Sequence, residues 1–134
     1  MLTKEITYVD YDGNERKEKF YFNLTKTELI RLEHSMKGGL NEHIKKITAE
    51  EDSKEIIKLI EEIVSSSYGE KSADGKRFVK VVDGHSLGED FLQTPAYDEL
   101  FCELVTDDEK LAAFIKGVMP SESEIEKFAS RAKQ

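Results

Sequence analysis

The chain has 134 residues, the length of one domain, and Leu, Ile, Val and Phe fill 35 of them, about 26%, enough to build a core. Charged side chains make up 36% and leave a net charge of −8, and no uncharged stretch exceeds seven residues, which excludes a membrane span of roughly 20 apolar positions and the apolar centre of a signal peptide. The single cysteine, Cys102, excludes an intrachain disulfide and a cysteine-based zinc site, and the expected compartment is the cytoplasm.

The acidic excess is local. Between Asp98 and Glu126 nine acids face two bases, Lys110 and Lys116. Such an array repels phosphate backbones, so nucleic acid is not an expected partner, the small Lys71, Lys76, Arg77 and Lys80 group being the one basic exception.

In chain order, Ile6, Tyr8, Phe20 and Phe22 alternate with polar residues on either side of Asp12-Gly13, a dipeptide that tolerates a tight turn, so a β-hairpin is expected with strands near 3–10 and 15–22. The Asp10, Asp12, Asn14 series invites a calcium-loop reading. It fails, because the sixth and twelfth positions, Glu15 and Tyr21, are not the Gly and Glu that such a loop requires.

Thr25 with Glu28 forms a capping box that opens a helix carrying Leu29, Leu32 and Met36 on one face, with Gly38-Gly39 as its stop. A short helix near 40–47 would align Leu40, Ile44 and Ile47. The strongest period follows: Ile56, Ile60, Ile63 and Ser67, with Ile57 and Val64 beside them, on a helix that starts after Glu50-Glu51-Asp52 and ends at Gly69.

Ala73-Asp74-Gly75 marks a turn and Phe78 to Val82 a strand that could join the hairpin. Three helices follow, starting at Thr94-Pro95, at Thr106 with Glu109, and at Ser121 with Glu124. Their apolar faces are Tyr97, Leu100, Phe101, Leu104 and Val105, then Leu111, Phe114 and Ile115, then Ile125, Phe128, Ala129 and Ala132. The expectation is a single α+β domain over 1–134: an N-terminal β-hairpin in a small antiparallel sheet with five to six mostly short helices.

One motif invites a catalytic reading. Gly84-His85-Ser86-Leu87-Gly88 fits the GxSxG nucleophile elbow and follows a strand. An elbow serine needs a histidine to take its proton, and in that fold the histidine follows the serine in the chain. No histidine follows His85, and His34 and His43 lie upstream, so the expected structure is a turn in which Gly84 and Gly88 flank a polar loop. His34 and His43 lack the spacing of a helical metal pair, and Cys102 reads as a small packed side chain. No phosphate loop, dinucleotide fingerprint or metal signature is present, so no catalytic residue, metal or cofactor is assigned.

Four strings carry a resemblance. FYFNLTKTELIRLE over 20–33, SYGEKSADGKRF over 67–78, TPAYDELF over 94–101 and LAAFIKGVMP over 111–120, in that order and spacing, resemble the small tail assembly chaperones of long-tailed phages and prophages of Gram-positive bacteria. The resemblance covers about 5–120. It implies a non-enzymatic protein of the host cytoplasm, absent from the mature virion, that binds the tape measure protein, keeps it soluble and helps recruit the major tail protein. It also implies self-association into a homo-oligomer, and a short product of a reading frame that frameshifting can extend. A bare amphipathic stripe on a long helical partner invites aggregation, and the helices at 95–132 are the expected cover, with Asp98, Glu99, Asp107 and Asp108 as the partner-binding residues. Two other readings stay open: a regulatory or antitoxin-like binding module, and a serine hydrolase built on Gly84, Ser86 and Gly88.

Overall fold

The computed structural model describes residues 1–35, 39, 42, 46 and 53–120. Of the expected helix near 40–47 only Glu42 and Lys46 are described; Met36 and Gly38, the helix expected after Ser121, and the acids Glu50, Glu51 and Asp52 lie outside the described residues.

The fold is α+β. Strands β1 (Leu2–Val9) and β2 (Glu15–Phe22) form the hairpin, in register from Leu2 opposite Phe22 to Val9 opposite Glu15. Its loop is set by Asp10, whose Oδ1 accepts from the amides of Asp12 and Asn14, while Gly13 alone takes the left-handed conformation, at φ +85°. The capping box at the start of α1 (Lys26–Ser35) is real: Glu28 N donates to Thr25 Oγ1, and Thr25 N donates to Glu28 Oε1.

Helix α2 (Ser53–Ser67) buries Leu59, Ile60, Ile63, Val64 and Ser67. The buried stripe is therefore turned toward Leu59, and Ile57 is left exposed. Two residues before the expected end at Gly69, the chain passes directly into a strand absent from the sequence reading, β3 (Tyr68–Lys71). The Ser67 hydroxyl donates to the carbonyl of Ile63 inside the last turn, and its own carbonyl accepts from Asn23 N, which starts the pairing of β3 with β2. A short tract holding a glycine carries too little β signal against a strong helical period.

The expected strand at 78–82 divides. Its first half, β4 (Phe78–Val79), completes a four-stranded antiparallel sheet in the order β1-β2-β3-β4, so it reaches the hairpin only through β3. Its second half, β5 (Val81–Val82), folds back on β6 (His85–Ser86) across Asp83-Gly84, both at positive φ as a two-residue hairpin turn demands. Helices α3 (Leu87–Phe91), α4 (Pro95–Thr106) and α5 (Asp108–Val118) follow, making five helices among the described residues.

One hydrophobic cluster joins the layers. Phe22 and Leu24 from the sheet side, Ile60, Ile63 and Val64 from α2, Phe91, Leu100 and Leu104 from α3 and α4, and Phe114 and Val118 from α5 are all essentially sealed from water. The inner aromatics interlock: Phe91 stacks on Tyr68 at 4.4 Å and 16°, and Phe22 meets Phe91 and Phe114 edge to face at 5.6 and 5.1 Å.

Candidate functional site

The Gly84 to Gly88 segment was the strongest chemical candidate, and its geometry is that of a structural joint. Gly84 occupies the second position of the hairpin turn at φ +79°. Ser86 caps α3, its Oγ accepting from Glu89 N at 3.2 Å. Gly88 is buried where α3 crosses α2, so close that a Cβ would lie 1.8 Å from the carbonyl oxygen of Ser65. Gly84, Ser86 and Gly88 thus each answer a local turn, capping or packing demand. His85 is exposed, and among the described residues no Asp, Glu, His and Cys trio converges on a common point.

Behind Ser86 lies an open groove of about 360 Å³, bordered by Glu28, Arg31 and Leu32 of α1, Ser65 of α2, and Lys80 and Val81. Lys80 forms its floor. The ammonium donates to Glu28 Oε2 at 2.7 Å, to the Ser66 carbonyl at 2.6 Å and to the Asn23 carbonyl at 2.6 Å, tying the start of α1, the end of α2 and the end of β2 together. All three of its protons are used. Burial lowers the Lys80 pKa from its ordinary value, against the Glu28 carboxylate, which raises it. Of the basic group expected from the sequence, Lys80 turns inward, while Lys71, Lys76 and Arg77 stay exposed on the β3–β4 hairpin, Lys71 lying over the Tyr21 ring at 4.3 Å. Spacing along the strand gave no sign of which lysine would turn inward.

The acidic helices behave differently from the expectation in one respect. Their apolar faces are consumed inside the molecule: α4 buries Ala96, Tyr97, Leu100 and Leu104, and α5 buries Phe114 and Val118. Val105, read as part of the apolar face, is instead exposed, and so is Cys102, which was expected to pack. What α4 and α5 leave outside is charge. Asp98 and Glu99 are exposed in the first turns of α4, and Asp108 is exposed in the first turn of α5, where acids suit the positive end of the helix dipole.

Asp107 stands apart from these three. Its Oδ1 accepts from Glu109 N and Lys110 N at 3.0 and 3.3 Å, making it the cap of α5, a role the sequence had pointed to Thr106. The Thr106 hydroxyl instead donates back to the Cys102 carbonyl. Thr94 does cap α4 as expected, with Pro95 in its first turn. Glu103, half-buried beside these acids, holds Lys4 of β1 at 2.9 Å and so fastens α4 to the sheet.

The buried Tyr97 hydroxyl has no hydrogen-bond partner among the described residues. Burial pushes the phenols of Tyr97 and Tyr68 up to about 12. No helix among the described residues is long and apolar enough to cross a membrane.

Among the described residues the arrangement offers surfaces and joints between elements. A family model for phage tail assembly chaperones matches residues 1–133. The chain belongs to the phage tail assembly chaperone family. No curated protein and no solved structure matches it. In this chaperone the strings that carried the resemblance fall on the structural joints: the capping box and Asn23 in 20–33, all of β3 and its turn in 67–78, the Thr94 cap in 94–101, and the buried face of α5 in 111–120.

Proposed function

We infer that this chaperone binds the tape measure protein of its phage during tail assembly, keeps it soluble, and helps recruit the major tail protein around it, in the host cytoplasm and without entering the mature virion. The observation that carries this reading is the family match over residues 1–133. The contact surface is the outer, acidic side of α4 and α5, with Asp98, Glu99, Asp107 and Asp108 as its charges, Asp107 serving as helix cap as well. Two features support that surface. Its apolar side is already spent on the core, so a partner meets the acids first, and a surface of one sign steers an oppositely charged partner while keeping the complex dissolved.

The test is co-expression with the largest helical protein encoded just downstream, scoring its solubility and its co-purification with this chain. Capture of an otherwise insoluble protein supports the function; failure of both, with the downstream protein well expressed, overturns it. Charge reversal of Asp98, Glu99 and Asp108 together maps the surface, leaving Asp107 intact because reversing it would uncap α5. Unchanged capture by that triple variant would remove this face from the proposal and leave the function standing.

A further inference from the structure

The sheet turns one face to the core and the other away from it. Phe20 and Phe22 of β2 pack in the hydrophobic cluster against Phe91 of α3, so alternation sends Lys17, Lys19 and Tyr21 to the outer face. Tyr21 lies opposite Gly69 of β3, which puts Gly69 and Lys71 on that same face, and Lys71 lies opposite Phe78 of β4. Direct contacts agree with the register. The Lys71 ammonium stands 4.3 Å from the Tyr21 ring centroid, and a Cβ on Gly69 would lie 2.7 Å from an edge carbon of the Phe78 ring. Continued by two residues, the β2–β3 register brings Lys19 beside Lys71, and the amide of Ser72 donates to the carbonyl of Arg77, which sets Arg77 and Lys76 at the end of the same hairpin.

Like charges facing each other across a strand pair are destabilising. In a chain with 28 acids and 20 bases, carboxylates are abundant enough to neutralise them. Lys19, Lys71, Lys76 and Arg77 are nevertheless all exposed, and none has a carboxylate partner among the described residues. Glu5, opposite Lys19 in β1, holds Lys17 at 3.2 Å instead, and the Asp74 carboxylate in the turn accepts from the Ser72 hydroxyl and the Lys76 amide.

We propose that this outer face, with Lys19 and Lys71 at its centre and Lys76 and Arg77 at its rim, binds a short acidic segment of a partner protein. Tyr21 positions the Lys71 ammonium above its ring with no carboxylate spent on it. Carboxylates set between Lys19 and Lys71 relieve their repulsion without displacing any ion pair of the fold. The net charge of −8 and the acids of α4 and α5 favour a short segment over a nucleic acid, whose phosphates continue past the patch into a repelling field. Because the contacts are exposed charges, the binding is weak and steeply salt-dependent. The patch is on the opposite side of the sheet from the helices that carry Asp98, Glu99 and Asp108, and the inference is independent of the function proposed above.

Fluorescence anisotropy of the full chain with a fluorescein-labelled octaglutamate peptide tests it at about 10 mM salt, where charges act over about 30 Å. The expected result is binding that is lost at about 1 M salt and weakened at least about tenfold by Lys19→Glu with Lys71→Glu, with an unchanged circular dichroism spectrum. Lys19→Gln with Lys71→Gln, which adds no acid, should weaken it in the same direction. Lys58→Glu with Lys116→Glu shifts the net charge as far as the first pair from exposed positions outside the patch, and should weaken binding less than about twofold. A labelled oligothymidylate of equal charge is the second probe. Absence of peptide binding by the parent chain, or equal weakening by the two pairs of reversals, would overturn the proposal. Tighter binding of the oligothymidylate, abolished by Lys19→Glu with Lys71→Glu, would overturn it in favour of nucleic acid. An oligomer of the chain that disperses in that variant, with the peptide unbound, would overturn it in favour of a second copy. Every readout uses the isolated chain, so failure here leaves the capture of the tape measure protein standing.

Discussion

Gly88→Ala separates the structural account of the Gly84 to Gly88 segment from a catalytic one. The added methyl would lie 1.8 Å from the Ser65 carbonyl oxygen, 2.6 Å from its carbonyl carbon and 2.9 Å from its Cα, all backbone atoms of α2 that no rotamer change can move. Reaching ordinary contact at about 3.5 Å requires α3 to withdraw by roughly 1.7 Å. A gap of even 0.5–1 Å forfeits a quarter to a half of the dispersion energy across an interface, and α3 carries Phe91, which is 2% exposed and packs on Tyr68, Phe20 and Phe22. Burial of such a ring contributes about 1.5–3 kcal/mol, so with the strain at the crossing Gly88→Ala should cost about 3 kcal/mol or more. Ser86→Ala, losing only the cap of a five-residue helix, should cost about 1 kcal/mol. Urea denaturation followed by circular dichroism measures both. A Gly88→Ala protein as stable as its parent would refute the packing argument, and labelling of Ser86 by an active-site phosphonate probe would restore the hydrolase reading.

Three further outcomes follow from named groups. Tyr97→Phe removes a buried hydroxyl that has no partner among the described residues, so it should raise stability by about 1 kcal/mol in thermal or urea unfolding, and a loss of that size would mean the hydroxyl is bonded. Tyr68 and Tyr97 ionise near 12 in the folded chain against 10 when exposed, so between pH 10 and 12 the unfolded state holds fewer protons on them; their contribution to stability should be constant up to pH 10 and then fall, so that the loss above pH 10 is less steep in Tyr97→Phe than in the parent. Lys80→Met leaves Glu28 and the carbonyls of Asn23 and Ser66 without their shared donor and should cost about 2 kcal/mol, whereas a change below about 0.5 kcal/mol in urea unfolding would show that water replaces the ammonium.

Local chemistry was legible in the sequence wherever one short stretch of chain sufficed. The hairpin strands, the Thr25–Glu28 capping box and the Thr94-Pro95 start were readable because alternation and capping act over three or four residues. Position along the chain also located the acids Asp98, Glu99 and Asp108 on exposed helix turns. Tertiary structure decided the rest. Strand β3 exists because Ser67 and Asn23 meet across 44 positions, a pairing no local window contains. Gly88 is glycine because α2 passes against it, and Lys80 turns inward because three separate elements present oxygens to it. The sequence by itself determined the hairpin, the helix starts at Thr25 and Thr94 and where charge would gather, since those depend on neighbours along the chain; strand β3, the division of 78–82 and which side chains became joints depended on neighbours across space, and only the folded chain brings those together.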